Sequence, residues 1–253
     1  MDLDVQRASM WKRISAFLLD GIFLGILVVA FAFLLSAVLG YDGYSQQLED
    51  AYNGYEARYG IQFDISQDAY ASMPQAQKDA YDEAYQALTQ DENVLYIYNM
   101  VVNLTLVITT MSILLAFLVL EFLVPVLLGN GQTLGKKVFA IAVIRTDLVK
   151  ANTLQLFART LLGKFTVETM IPVYVLIMLY FNTVGLVGTV LLGALLLAQG
   201  ITLAVTRNRY AIHDWIAGTV VVDYASQRIF QSTENLIAYK NEIHAQYAAR
   251  QDY

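Results

Sequence analysis

The sequence predicts an all-α integral membrane protein: a four-helix transmembrane bundle with an extracytoplasmic helical insertion between the first two helices. Three observations predict it. Of the 253 residues, 57% are hydrophobic and only 15% are charged, where a soluble domain carries about 25% charge, and the mean hydropathy is +0.48. The apolar residues are gathered into four long runs, each near the roughly 17–25 residues that a helix needs to cross a bilayer. The basic residues are shared unevenly among the connections, which orients such a bundle.

The first run, Ile14–Leu39, carries one charge, Asp20. It is longer than a signal-peptide core and shows no small-residue cleavage site, so it reads as a retained helix. The second lies within Val94–Leu128, with Met100–Leu127 as its apolar part, and contains Glu121 and Pro125. The third is Phe165–Phe181 and the fourth Val184–Val205. The last two meet at Asn182 and Thr183. They read as two short spans joined by a tight turn, one span plus a re-entrant piece being the alternative. The chain thus divides into 1–39, 40–93, 94–128, 129–164, 165–206 and 207–253.

Arg7, Lys12 and Arg13 precede the first helix, and six bases lie in Gly129–Lys164. Five more follow the fourth span, whereas Gly40–Asn93 has only Arg58 and Lys78. Both termini and the 129–164 connection are therefore expected in the cytoplasm, with 40–93 outside. That outer segment carries eleven carboxylates against its two bases and is rich in tyrosine. Gln75–Gln90 reads as a helix started by Pro74. On the inner side, the β-branched run 138–144 is expected to pair with 219–222 as two strands. Leu154–Leu162 reads as an amphipathic interfacial helix with Arg159 in water. Ser226–Tyr253 reads as a soluble helix.

Depth locates the chemistry. Asp20 and Glu121 both lie roughly 10 Å inside the inner face, and Glu168 is shallower on the same side. Three carboxylates from three helices at one level can bind a cation or share a proton. A charge at such depth costs on the order of 2.5–3.5 kcal/mol on insertion scales. Arg13 lies two turns before Asp20 on the same face, so a plain Arg13–Asp20 pair is the structural reading of both. Glu121 has no basic partner on its own helix. Pro125 withdraws the backbone bond that residue 121's carbonyl would accept. That freed carbonyl either faces an ion or marks a helix end.

Gly131–Lys137 (GQTLGKK) resembles a phosphate loop only superficially. Three residues, not four, separate its glycines, and Lys137 follows Lys136 where Ser or Thr is required. Its lysines are expected at lipid phosphates. In the final motif, His213 can relay protons, and Asp214 can cap the following turn or pair with Arg13 or Lys136. Cysteine is absent, and the two histidines are 31 positions apart, so no metal set or cofactor is expected. Net charge −6 and a pI near 4.9 argue against nucleic acid.

Arg13, Asp20 and Asp214 resemble the arginine–aspartate–aspartate signature of the RDD membrane protein family. RISAFLLDGIF, GQTLGKKVFAIAVI and IHDWIAGTVVV resemble its three blocks, in order, from Arg13 to Asp223. The resemblance implies a protein of the bacterial cytoplasmic membrane and supports transport, with sodium/proton antiport attributed to some members. The reading is a cation- or proton-coupled transporter rather than an enzyme. Asp20, Glu121 and Glu168 bind the ion or proton, and Arg13, Asp214 and His213 form a gate or structural ion pair. Its partners are the lipid bilayer, a monovalent cation and the proton. Four helices are few for a transport path, so a homo-oligomer is expected. The alternative is a membrane scaffold or accessory subunit whose insertion and tail recruit an unknown protein.

Overall fold

The computed structural model describes residues 4–180, 183, 185–206 and 210–251. Four helices are long and apolar enough to cross a membrane: Met10–Leu39, Glu92–Leu128, Thr153–Tyr180 and Gly185–Thr202. The first is α1 (Met10–Leu39). The second joins α5 (Glu92–Phe117), a π-helical stretch (Leu118–Leu123) and α6 (Val124–Leu128). The third joins α8 (Thr153–Ala158), a second π-helical stretch (Arg159–Met170) and α9 (Ile171–Tyr180). The fourth is α10 (Gly185–Val205), packed along α9. Both of the last two are helices long and apolar enough to span, as the two-span reading expects; Phe181, Asn182 and Val184 between them lie outside the described residues.

The chain divides into two compact units, one of Met1–Val28 with Ile113–Tyr253, the other Val29–Ser112. The second unit holds α2 (Tyr41–Tyr59), α3 (Gln67–Ser72) and α4 (Gln75–Gln90), the last beginning after Pro74 as its sequence predicts. Its many tyrosines are structural. Phe63 meets Tyr52 and Tyr81 edge-on, with centroids 5.5 and 5.7 Å apart, and Tyr70 meets Tyr81 at 5.2 Å, the geometry that ring quadrupoles favour. Ala84 and Leu88 of α4 are buried.

The first unit is organised by a sheet of two strands, β1 (Ile141–Arg145) and β2 (Thr219–Asp223), antiparallel with Val143 opposite Val221. The expected pairing forms, shifted so that 138–140 finish the short helix α7 (Leu134–Val138) and its turn. Alternation divides the strands between two cores. Ala142, Ile144, Val220 and Val222 face Leu148, Phe230 and Leu236, which anchors α12 (Thr233–Gln251). Ile141, Val143 and Val221 face Ala8, Ala16 and Leu156, with Phe122 and Val126 beside them. The sheet is buried on both faces, and this explains its unbroken apolar runs.

One expectation is overturned. Leu154–Leu162 is not an interfacial helix with Arg159 in water: it is the first stretch of the third span, and Arg159 is 4% exposed. The amphipathic pattern is real, but its polar stripe faces inward, onto a carboxylate supplied by another segment.

Candidate functional site

A cavity of about 500 Å³ lies in the first unit. Four carboxylates line it (Asp20, Glu121, Glu168, Asp214) and so do four permanent or near-permanent bases (Arg13, Lys136, Arg159, Lys164), together with His213. With the histidine neutral, these charges cancel. A buried carboxylate without a partner is too costly to keep, and each of these has one.

Asp20 is held by the segment GQTLGKK. Thr133 caps α7 by accepting the Lys136 amide at 3.3 Å, as hydroxyls do at helix starts. The same hydroxyl donates to Asp20 Oδ2, and the Gly135 amide donates to Oδ1 at 2.7 Å. A side chain at Gly135 would stand 2.8 Å from that oxygen and closer still to the Ala16 carbonyl, so only glycine admits the approach. The loop therefore does cradle an anion, one from its own chain. Lys136 corrects a second expectation. It is 7% exposed and does not reach lipid phosphate: its Nζ lies 3.0 Å from Thr133 Oγ1, 3.6 Å from Asp20 Oδ2 and 3.5 Å from Glu121 Oε2. Lys137 remains exposed.

Glu121 lies on the π-helical part of the second span, where extra-wide turns often mark functional sites. Its second oxygen takes Lys164 Nζ at 2.5 Å. The main-chain carbonyl freed by Pro125 accepts the Thr160 hydroxyl at 2.8 Å.

The other carboxylates form a chain. Glu168 accepts the His213 amide at 3.0 Å and the ring Nδ1 at 2.7 Å. Arg159 can only donate, and its terminal nitrogen is 2.9 Å from His213 Nε2. This assigns the proton of a neutral ring to Nδ1. Arg159 also holds Asp214 Oδ1 at 2.9 Å, Thr219 donates to that oxygen at 3.2 Å, and Arg13 reaches Oδ2 at 3.4 Å. Asp214 sits at the third position of α11 (Ile212–Ala217), accepting the Ala211 amide at 3.3 Å. The short helix lies tight on the third span because Gly163 presents no side chain there, where one would overlap His213. The α11 start is tied to the fourth span by Gln199, which accepts the Ile212 amide at 3.2 Å.

Burial alone would raise the Asp214 carboxyl, but Arg159, His213 and Arg13 outweigh it and hold it well below the usual range. His213 is pushed down, first by burial and then by Arg159, against the pull of Asp214 and Glu168. Burial pushes the Lys136 ammonium down to about 8; Lys164 and Arg159 add to this, while Glu121 and Asp20 oppose it.

Residues 7–218 match the family model of the RDD family. The chain belongs to the RDD family. No curated protein and no solved structure matches it.

The three signature residues of this RDD chain all line the cavity, yet they do different work. Arg13 and Asp214 pair, while Asp20 is claimed by Thr133, Gly135 and Lys136. Asp20 and Glu121 come together through one shared ammonium; Glu168 joins His213, Arg159 and Asp214 instead. Sequence reasoning offered Lys136 to Asp214 or lipid rather than to Asp20 and Glu121, put Arg159 in water, and missed Lys164 and Thr133. A usable signal existed: four carboxylates near one membrane face demand four compensating bases, and three of them come from the basic 129–164 connection. Among the described residues, no group of three or more His, Asp or Glu is arranged to hold a metal ion.

Proposed function

We propose that this RDD protein exchanges a monovalent cation for a proton across the bacterial cytoplasmic membrane, an antiport of the sodium/proton type. One observation carries the reading: the Lys136 ammonium sits as a built-in cation in an oxygen cradle formed by Asp20, Glu121 and Thr133. Its carboxylate contacts of 3.5 and 3.6 Å are long for charge-assisted bonds, which run at about 2.7–2.9 Å. The Lys164–Glu121 and Arg159–Asp214 contacts, at 2.5 and 2.9 Å, are tight. Lys136 is thus the exchangeable charge and the others are the frame.

When Lys136 loses its proton to water, two carboxylates and a hydroxyl are left facing one neutral amine. A monovalent cation entering the cradle restores the balance, so one proton leaves for each cation bound. The groups facing Lys136 are Asp20 from the first span, Glu121 from the second, and Lys164 and Arg159 from the third; burial, against which their opposing fields act, holds its pKa at about 8. Glu168 and His213 assist by fixing Arg159, and the Arg13–Asp214 pair gates the mouth. The bases left uncommitted by the cluster, Lys12, Lys137, Arg145 and Lys150 among them, support a cytoplasmic position for this end of the bundle. A homodimer completes the path across the membrane.

The test is the purified chain in liposomes with a trapped pH dye. An imposed proton gradient should collapse on addition of Na⁺, K⁺ or Li⁺, and Asp20→Asn should abolish the response. Below about pH 8 the apparent cation affinity should fall roughly tenfold per pH unit, because each bound cation displaces one proton. Lys136→Gln should bind the cation with no such pH dependence. Absence of cation-driven collapse from folded wild-type protein refutes the proposal.

One observation favours a second reading. Among the described residues, no buried side-chain nitrogen or oxygen lacks a partner, as suits a network that merely locks the bundle of a scaffold or accessory subunit. That role predicts that Asp20→Asn loses function only in proportion to lost stability. A stable but inactive Asp20→Asn protein excludes it.

A further inference from the structure

The cavity is far larger than a metal cation. At about 500 Å³ it falls within the roughly 300–1,000 Å³ range of pockets that hold organic ligands, and such pockets are apolar with a few placed polar groups. Its walls fit that description: Phe17 and Leu24 from the first span, Phe117 from the second, Pro172 from the third, Leu195 and Leu196 from the fourth. Phe17 is 70% exposed and Leu196 62%, although both line the cavity. The cavity therefore reaches the lipid-facing surface beside the first and fourth spans. Its polar end is the cradle of Asp20 and Glu121.

We infer that the cation taken by this site is an amphiphilic organic monocation, entering from the bilayer. Its charged centre takes the place between Asp20 and Glu121 that the Lys136 ammonium otherwise holds, and its apolar body fills the space between the spans. This deepens the exchange reading and rests on it. A cation is favoured over an anion because Lys164 and Arg159 are locked onto carboxylates at 2.5 and 2.9 Å. An anion would have to break those bonds; a cation need only replace the loosely held Lys136. An apolar body is favoured over a bare ion because most of the lining cannot solvate charge.

Radiolabelled tetraphenylphosphonium is a suitable probe, applied to the full-length protein in detergent at alkaline pH. Binding should saturate and sodium should compete with it. Asp20→Asn should weaken it by about thirtyfold or more, the loss expected when one partner of a buried charge pair is removed. Gly21 lines the cavity, and a Cβ added there meets nothing within 4 Å. Gly21→Leu should therefore fold, as a thermal melt would verify, and weaken probe binding by about tenfold through bulk in the cavity. Sodium-driven exchange without sodium-competed probe binding overturns the organic substrate and leaves the exchange reading standing. Absence of both overturns both. A folded Gly21→Leu protein that binds like wild type overturns the placement of the ligand.

Discussion

The same side chains meet opposite fates in the two units of this molecule. In the first, three buried carboxylates and the half-buried Glu168 surround one cavity, and four bases from other segments neutralise them. In the second, eleven carboxylates of 40–93 face two bases, and most of them stay on the surface. Asp214 is fully buried and held by two guanidinium groups, a hydroxyl and an amide. Asp91, at the edge of the acidic segment, needs only the Tyr55 hydroxyl at 3.0 Å and two backbone amides. Water does for the second unit what fixed partners must do for the first. A charge in the cluster is therefore part of a balance that fails when one member goes, and a charge in the acidic segment is nearly independent of its neighbours.

The largest break in this comparison is the loss of one base from each region. Arg159→Met leaves Asp214 and Glu168–His213 without their shared donor, and should destabilise the folded protein by about 3–5 kcal/mol, the cost of orphaning a buried charge. Arg58→Met removes an exposed guanidinium that lies 5.7 Å from the Tyr59 ring and should cost less than about 1 kcal/mol. Thermal unfolding of both variants in the same detergent measures the ratio; equal losses would show that the cluster is less desolvated than its geometry implies.

A second comparison uses one device in two settings. Thr133 and Ser66 each cap a short helix, accepting the amides of Lys136 and Ala69 at 3.3 and 3.2 Å. Thr133 is fully buried and also donates to Asp20, whereas Ser66 is exposed. Thr133→Ala should therefore cost about 2–3 kcal/mol, a cap plus a hydrogen bond to a charged group. Ser66→Ala should cost about 0.5–1 kcal/mol, the cap alone. Thr133→Ala should also shift the pH dependence of cation binding, since it removes one oxygen from the Lys136 cradle; Ser66→Ala should not.

The comparison also shows what the sequence can reveal. The spans, the helix after Pro74 and the pairing of 138–144 with 219–222 were legible because periodicity, length and β-branching are local properties. The family was legible because its three blocks keep their order. Counting residues along helices put Asp20, Glu121 and Glu168 toward the same side, and all three line one cavity. Partners did not follow, because they depend on which elements adjoin. Lys136 reads as a lipid-facing base until the capping of α7 turns it inward. Arg159 reads as the wet face of an interfacial helix until Asp214 arrives from a segment 55 residues away. Gly135 and Gly163 look like ordinary turn or helix glycines, and only the packed structure shows that each admits a neighbour's backbone or carboxylate.

The smallest expected effect sharpens the same contrast through the solvent. Raising salt from about 0.01 M to about 1 M shortens the screening length from roughly 30 to 3 Å. Self-repulsion among the exposed carboxylates of 40–93 should weaken, and amide protection in α4 should rise by roughly two- to fivefold, on the scale of exposed charge interactions. The pairs that hold Asp214 in α11 lie within contact distance and Asp214 is fully buried, so salt screens them little and protection in α11 should stay constant. Hydrogen exchange read peptide by peptide separates the two. Salt-dependent protection in α11 would mean that mobile ions screen the Asp214 pairs themselves, and that those pairs are less desolvated than their burial implies.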